Sequence, residues 1–173
     1  MERKNSLKTN HNFTLREIEK SDQDFLFEML RQSIFVAPNS PPLDNNIINL
    51  PEIWKYVENW GKEGDFGYVA VDNKSGARIG AIWLRFFDFN NKGYGYISDN
   101  IPETGIAVDY TKRGIGIGTA LIKELLKRTK ESLKVLSLSV QQNNPAVKLY
   151  EKFGFIEHSK AGNSIIMRYD RKL

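Results

Sequence analysis

The stretch Glu103-Thr-Gly-Ile-Ala-Val-Asp-Tyr-Thr-Lys-Arg-Gly-Ile-Gly-Ile-Gly118 decides how this chain folds. Thr104–Val108 reads as a strand, and Ile117, Leu121, Ile122, Leu125 and Leu126 follow at helical spacing. Between them, Gly114, Gly116 and Gly118 occupy alternate positions. A strand therefore passes through a glycine turn directly into a helix, which makes an anion site. Glycines lack Cβ atoms, so the backbone can close on a ligand and adopt positive φ. The first N–H groups of the helix have no internal partner, and the helix dipole adds about half a positive charge there. A phosphate or pyrophosphate is the natural occupant. Lys112 and Arg113 lie beside it and can supply full charge.

Two common phosphate motifs fail by count. A P-loop needs a Lys-Ser or Lys-Thr pair after its glycines, and none follows here. The dinucleotide fingerprint Gly-x-Gly-x-x-Gly, counted from Gly114 or Gly116, finds Thr119 or Leu121 at its third glycine. Its acidic residue is also missing, because Val140 is followed by Gln141-Gln142-Asn143.

Upstream, Phe13–Ile18 alternates as a short strand, and Ser21–Asp24 resembles a capping box before Leu26, Met29 and Leu30 at helical spacing. Residues 37–50 hold three prolines and four asparagines and read as a loop. Pro51 suits the first turn of a second helix, with Ile53, Trp54, Val57 and Trp60 as its stripe and Gly61 as its stop. Strands are expected at Phe66–Val71 and Arg78–Phe86, apolar on both faces as a covered sheet requires. Residues 86–97 are aromatic-rich and broken by Asn90-Asn-Lys-Gly93, which suggests a hairpin tip or a mobile loop. Downstream, Val135–Val140 is a strand. Asn144-Pro145 opens a helix carrying Ala146, Leu149, Tyr150 and Phe153, and Phe155–His158 and Ile165–Tyr169 close the chain as strands. The order β-α-α-β-β-β-α-β-α-β-β is a mixed α/β layout with helices packed on a sheet.

At 173 residues, one domain over 12–173 is expected, with residues 1–11 a tail that need not be ordered. The absence of cysteine excludes a disulfide scaffold, thiolate zinc sites and a cysteine nucleophile. Two histidines far apart give no basis for a metal site. A net charge of +4 suits an anionic small ligand and is too weak to argue for nucleic acid. No apolar run approaches a membrane span, and no hydrophobic stretch near the start suits a secretory signal, so a cytoplasmic protein is expected.

Arg113-Gly-Ile-Gly116-Ile-Gly118, with Asn143-Asn-Pro-Ala146-Val-Lys-Leu149-Tyr150-Glu-Lys-Phe-Gly154-Phe155, resembles the GNAT superfamily of N-acetyltransferases. The likeness follows element order from about Phe13 to Tyr169 and is specific between Glu103 and Phe155. It implies a mixed, mostly antiparallel central sheet flanked by about four helices. It also implies acetyl-CoA as cosubstrate, with no metal. Arg113, Gly114, Ile115, Gly116, Ile117, Gly118 and Thr119 match the loop that wraps the pyrophosphate of coenzyme A. Ile106, Ala107 and Val108 match the strand end that pairs with the pantetheine arm. Asn143, beside Ala146, matches a side chain that contacts the pantetheine, and Tyr150 matches the phenol that protonates the departing thiolate.

The implied reaction moves acetyl directly to a primary amine of a small molecule or peptide, and the resemblance involves neither nucleic acid nor membrane. A monomer and a homodimer both remain open. The amine must be neutral to attack, and a carboxylate that removes its proton contributes about 10²–10⁴-fold. Glu103 is the candidate base, sharing a strand face with Gly105 and Ala107 unless a bulge intervenes. Asp99 and water are the alternatives. Acceptor selection is expected from the first two helices, residues 37–50 and residues 86–100. Asp44, Glu52, Asp65, Asp88 and Asp99 are candidates to attract a cation. Two other functions stay open: a silent acyl-CoA-binding module of the same fold, and a phosphotransferase using ATP or GTP on the glycine loop.

Overall fold

The computed structural model describes residues 7–8, 12–44 and 46–171. Strands β1 (Leu7–Lys8), β2 (Phe13–Glu17), β3 (Phe66–Asp72), β4 (Arg78–Arg85) and β5 (Glu103–Val108) run antiparallel in succession. Helix α3 (Ile117–Arg128) then crosses over to β6 (Val135–Gln141), which joins β5 in parallel. After α4 (Ala146–Lys152), the hairpin β7 (Phe155–Ala161) and β8 (Ser164–Asp170) completes an eight-stranded sheet in the order β1-β2-β3-β4-β5-β6-β8-β7. The expected mostly antiparallel sheet with four helices is found. Of the tail expected over residues 1–11, Leu7 and Lys8 pair with β2, and the rest lies outside the described residues. Among the described residues, no helix is long and apolar enough to cross a membrane.

The period-two alternation of strands splits the core. Ile82 and Leu84 of β4 pack with Ile117, Leu121, Ile122 and Leu125 of α3. On the other face, Ala81 and Trp83 pack with Leu26, Met29 and Leu30 of α1 (Gln23–Ser33). The burial of α3 explains why a helix starts among glycines. Each ordered glycine costs up to about 1 kcal/mol, whereas each buried Leu or Ile returns about 1.5–3 kcal/mol.

Two local expectations shift. The capping box lies two residues earlier than expected: the Glu19 N–H donates to Asp22 Oδ2 at 2.9 Å, ahead of α1. Asp22 is buried between Arg16 (2.6 Å) and Arg78 (3.1 Å). Burial opposes its charge, yet hydrogen bonds from Arg16, the Glu19 amide and Arg78 pull its carboxyl down to about 2.

Helix α2 covers only Pro51–Trp54 instead of reaching Gly61. Side chains capture the backbone groups that would have continued it. Arg85 Nη1 donates to the Lys55 and Glu58 carbonyls at 2.7 and 2.9 Å. Gln23 donates to the Val57 carbonyl and accepts from the Trp60 amide, both at 2.7 Å. Arg85 is itself held by Asp65 in a buried pair at 2.5 Å.

Candidate active site

Strands β5 and β6 pair at one point, Glu103 with Ser137, where the Ser137 amide donates to the Pro102 carbonyl at 3.1 Å. Beyond it β5 stays with β4 and β6 stays with β8. Two cavities occupy the resulting gap, one of about 870 Å³ toward α3 and one of about 420 Å³ toward α2. Both are lined by Ile106, Asn144, Tyr150 and residues 33–35, so they meet there.

The larger cavity is an anion groove. Gly116 takes φ 89° and begins α3, and Gly114 takes φ 81°. A Cβ at either position would meet nothing within 4 Å, so these glycines serve backbone conformation and open approach rather than packing. Gly118 and Thr119 line the groove with Ile117, and so do Ile106, Ala107 and Val108 of β5. Arg31, Lys112 and Arg113 supply positive charge, and no carboxylate lines it among the described residues. Arg113 also braces the turn, donating to the carbonyls of Val108 (3.1 Å) and Gln32 (3.2 Å). Gln32 Oε1 in turn accepts from the Tyr110 amide at 3.0 Å. Ile115 is exposed and lines neither cavity. The groove can hold a pyrophosphate at the helix start and a long, thin arm along β5.

The smaller cavity has the opposite character. Glu103, 4% exposed, lines it. The β4–β5 register runs without a bulge, so Glu103 shares the face of Gly105 and Ala107. Glu103 Oε1 accepts from the Tyr56 hydroxyl at 2.7 Å and from the Gly95 amide at 2.8 Å, and Oε2 has no partner. Burial raises its pKa and outweighs the lowering by Tyr56, Gly95 and Lys55, which leaves the carboxyl at about 7. The Tyr56 hydroxyl is pushed up as well, by burial and by the neighbouring Glu103 charge, and it accepts from the Tyr94 amide at 2.5 Å.

Gly93 and Gly95 press against the Glu103 carboxylate. A Cβ on Gly93 would come within 2.0 Å of Oε2, and one on Gly95 within 2.7 Å of the Leu138 backbone. Phe87, Gly93 and Gly95 of the β4–β5 connection therefore pack at the sheet gap, while residues 88–92 form the exposed tip of this hairpin. Asp99 lies exposed, its carboxylate bonded to the Tyr96 hydroxyl, and lines neither cavity.

Tyr150 sits at the junction on α4, 8% exposed, and burial pushes its hydroxyl up to about 12. Phe155 packs edge-on against its ring at 6.0 Å. Ala146 lines the anion groove, and its amide donates to Asn144 Oδ1 at 2.9 Å. Asn143 is exposed and lines neither cavity, so the side chain facing the gap is its neighbour Asn144.

The sequence profile of the acetyltransferase (GNAT) family matches residues 26–155. The chain belongs to the GNAT family. Among curated relatives, it is 36% identical over 94 residues to a Bacillus subtilis (strain 168) protein provisionally named phosphinothricin acetyltransferase YwnH. That match spans 52% of this chain and 53% of the relative, about half of each. It is 27% identical to the SPbeta prophage-derived uncharacterized N-acetyltransferase YokL of the same strain, over 88% of this chain and 80% of the relative. The structure of a GNAT-family acetyltransferase from Streptococcus pneumoniae superposes with a TM-score of 0.65 at 21% identity, covering 92% of this chain and 99% of that one.

Within this GNAT-family site, four contributors were not anticipated from sequence. Tyr56 is one residue off the apolar stripe assigned to α2, so its periodicity marked it as ordinary. Gln32 closes a helix and carries no motif. Asn144 was read as a cap, and its side chain does accept from an amide two residues on while lining both cavities. The pair Gly93 and Gly95 carried a usable signal, since isolated glycines among aromatics mark close backbone approach.

Proposed function

We propose that this GNAT-family chain transfers acetyl from acetyl-CoA to a primary amine in a ternary complex, in the cytoplasm. The supporting observation is the meeting of two cavities of opposite charge at Tyr150, one carrying cations and helix N–H groups, the other a single buried carboxylate. The groove residues Gly114–Thr119 bind the pyrophosphate, and β5 from Ile106 to Val108 lies along the pantetheine arm. A backbone N–H aimed at the thioester oxygen contributes about 3–4 kcal/mol as negative charge develops there.

Proton traffic follows from the two titrating groups. An ammonium acceptor releases one proton to reach the attacking form. The N–C bond forms, the C–S bond breaks, and the nitrogen loses its second proton to Glu103. Its carboxyl, raised by burial to about 7, titrates near neutral pH, which suits a base. Tyr150, held neutral by burial, donates its hydroxyl proton to the leaving thiolate. Net, one proton reaches solvent and both side chains return to their starting states.

The name of one relative carries an acceptor, phosphinothricin. A match over half of each chain does not carry that acceptor to this protein. The test is a melting-temperature series with acetyl-CoA, ATP and NAD, followed by thiol release with a panel of primary amines. Acetyl-CoA at about 100 times its dissociation constant stabilises by about 2.7 kcal/mol. A shift with ATP or NAD and none with acetyl-CoA overturns the proposal. Binding without turnover on any amine leaves the silent acyl-CoA-binding module in its place.

A further inference from the structure

The smaller cavity is selective in its charges. Glu103 is the one ionisable carboxylate or ammonium-bearing side chain on its wall among the described residues; no Lys, Arg, His or Asp lines it. Most of the remaining wall is aromatic or aliphatic, with Tyr56, Trp83, Tyr94 and Ile53 among its side chains, and its other polar groups, such as Ser139 and Gln141, are neutral. The Tyr56 and Tyr94 rings lie nearly parallel, 7° apart in plane and 6.3 Å between centroids. Tyr94 is 54% exposed and stands at the outer end of the wall.

A second, independent observation concerns polar groups without partners. Among the described residues, four buried side-chain polar atoms lack a hydrogen bond, and three of them belong to cavity residues: Glu103 Oε2, Thr104 Oγ1 and Trp83 Nε1. Buried polar atoms are nearly always paired in native proteins, and the exceptions are accounted for by a catalytic role, strain, or an ordered water or ion. Glu103 Oε2 can only accept while ionised, and a primary ammonium brings three donors.

We propose, resting on the amine-acetylation reading above, that the acceptor is a primary monoamine with an otherwise uncharged body, an arylalkylamine or alkylamine. Amino acids and polyamines are disfavoured by the same wall. An α-carboxylate would enter beside aromatic rings with no cation to meet it, next to a carboxylate of like sign. A second ammonium would find no second anion. Either charge would leave water for neutral polar groups alone, with no opposite full charge to pair with, and that difference sets the discrimination. A cavity of about 420 Å³ falls in the range of about 300–1,000 Å³ typical of small-molecule sites, which suits one ring or short chain beside the acetyl group.

The experiment holds the ring constant and varies the charge. Thiol release at saturating acetyl-CoA is measured with phenethylamine, L-phenylalanine, L-phenylalaninamide and 1,4-bis(aminomethyl)benzene. The expected kcat/KM for phenethylamine exceeds that for L-phenylalanine and for the diamine by at least about 10-fold. L-phenylalaninamide, which keeps the added bulk without the charge, should fall between phenethylamine and L-phenylalanine. Equal or greater rates with L-phenylalanine or the diamine overturn the proposal. A preference for L-phenylalaninamide over phenethylamine also overturns it, in favour of a peptide N-terminus. If no amine is acetylated while acetyl-CoA still raises the melting temperature, the acceptor class is wrong and donor binding stands. If acetyl-CoA gives no shift, both proposals fall together.

Discussion

The two halves of the site are built from different materials. The phosphate end of the anion groove is made by one continuous run of chain, residues 106–119, whose main contribution is backbone: two positive-φ glycines and a helix start, with residues from α1 and α4 lining the rest. The smaller cavity is made by side chains from separate elements, with Glu103 from β5, Trp83 from β4, Tyr56 after α2 and Tyr94 from the connecting loop. Backbone recognition of phosphate tolerates exchange of neighbouring side chains, because the N–H groups are common to all residues. Side-chain recognition changes with every wall residue. One scaffold can therefore keep its donor while its acceptor changes.

The sharpest break of that contrast is Glu103→Gln. It removes the proposed base on one side only, so kcat/KM should fall by about 10²–10⁴-fold while acetyl-CoA affinity, read by calorimetry, stays the same. A stability readout accompanies it. Because the folded-state pKa of Glu103 lies near 7, above its ordinary 4.5, the folded protein holds this proton more tightly than the unfolded chain. The contribution is present below about pH 4.5 and is lost as pH rises through about 7. The wild-type melting temperature should therefore fall from pH 5 to pH 8 relative to the Gln variant. Parallel curves would remove Glu103 as the titrating group.

At the junction, Tyr150→Phe keeps the ring against Phe155 and removes the hydroxyl. The maximal rate should drop by roughly 10²-fold with little change in acetyl-CoA affinity. A normal rate from mildly acidic to alkaline pH would make Tyr150 a core residue and pass the donor role to water.

On the groove side, Gly116→Val should act on binding alone. A β-branched residue at φ 89° costs on the order of 1–2 kcal/mol, and its side chain projects into the open groove. Acetyl-CoA affinity should weaken by about 10-fold, with a modest loss of melting temperature. Unchanged affinity in a folded variant would place the phosphate loop elsewhere.

The smallest expected effect is Tyr56→Phe. The Tyr56 hydrogen bond lowers the pKa of Glu103, so its loss should raise that pKa. The acidic limb of the kcat/KM profile then moves to higher pH, with a few-fold loss at pH 7 and near recovery at pH 9. A uniform loss at every pH would mean that Tyr56 holds the cavity wall and does not tune the base.

How far the site was legible follows the same division. Arg113 to Gly118 could be read directly, because a turn that needs positive φ and a helix that needs a start are short-range demands written in consecutive residues. The strand face of Glu103 was legible from alternation, and the unbroken β4–β5 register bears it out. Its raised pKa was not. Burial of that carboxylate depends on Gly93 and Gly95, eight to ten positions away, and on Tyr56, 47 positions away. The length of α2 was misjudged for a related reason. Its stripe continued to Trp60, but Arg85 and Gln23, remote in sequence, took the backbone groups that would have extended it.

By itself, the sequence determined the order of elements from Phe13 onward, the glycine turn and the position of Tyr150 on a short helix, since each rests on periodicity, φ restrictions or capping within a dozen residues. Only the tertiary structure decided that Asn144 rather than Asn143 faces the gap, that Asp99 stands outside it, and that Glu103 is the one carboxylate on the smaller cavity's wall among the described residues. These depend on which side chains meet across the divergence of β5 and β6. Such meetings are set by long-range packing, where desolvation and charge act through space and not along the chain.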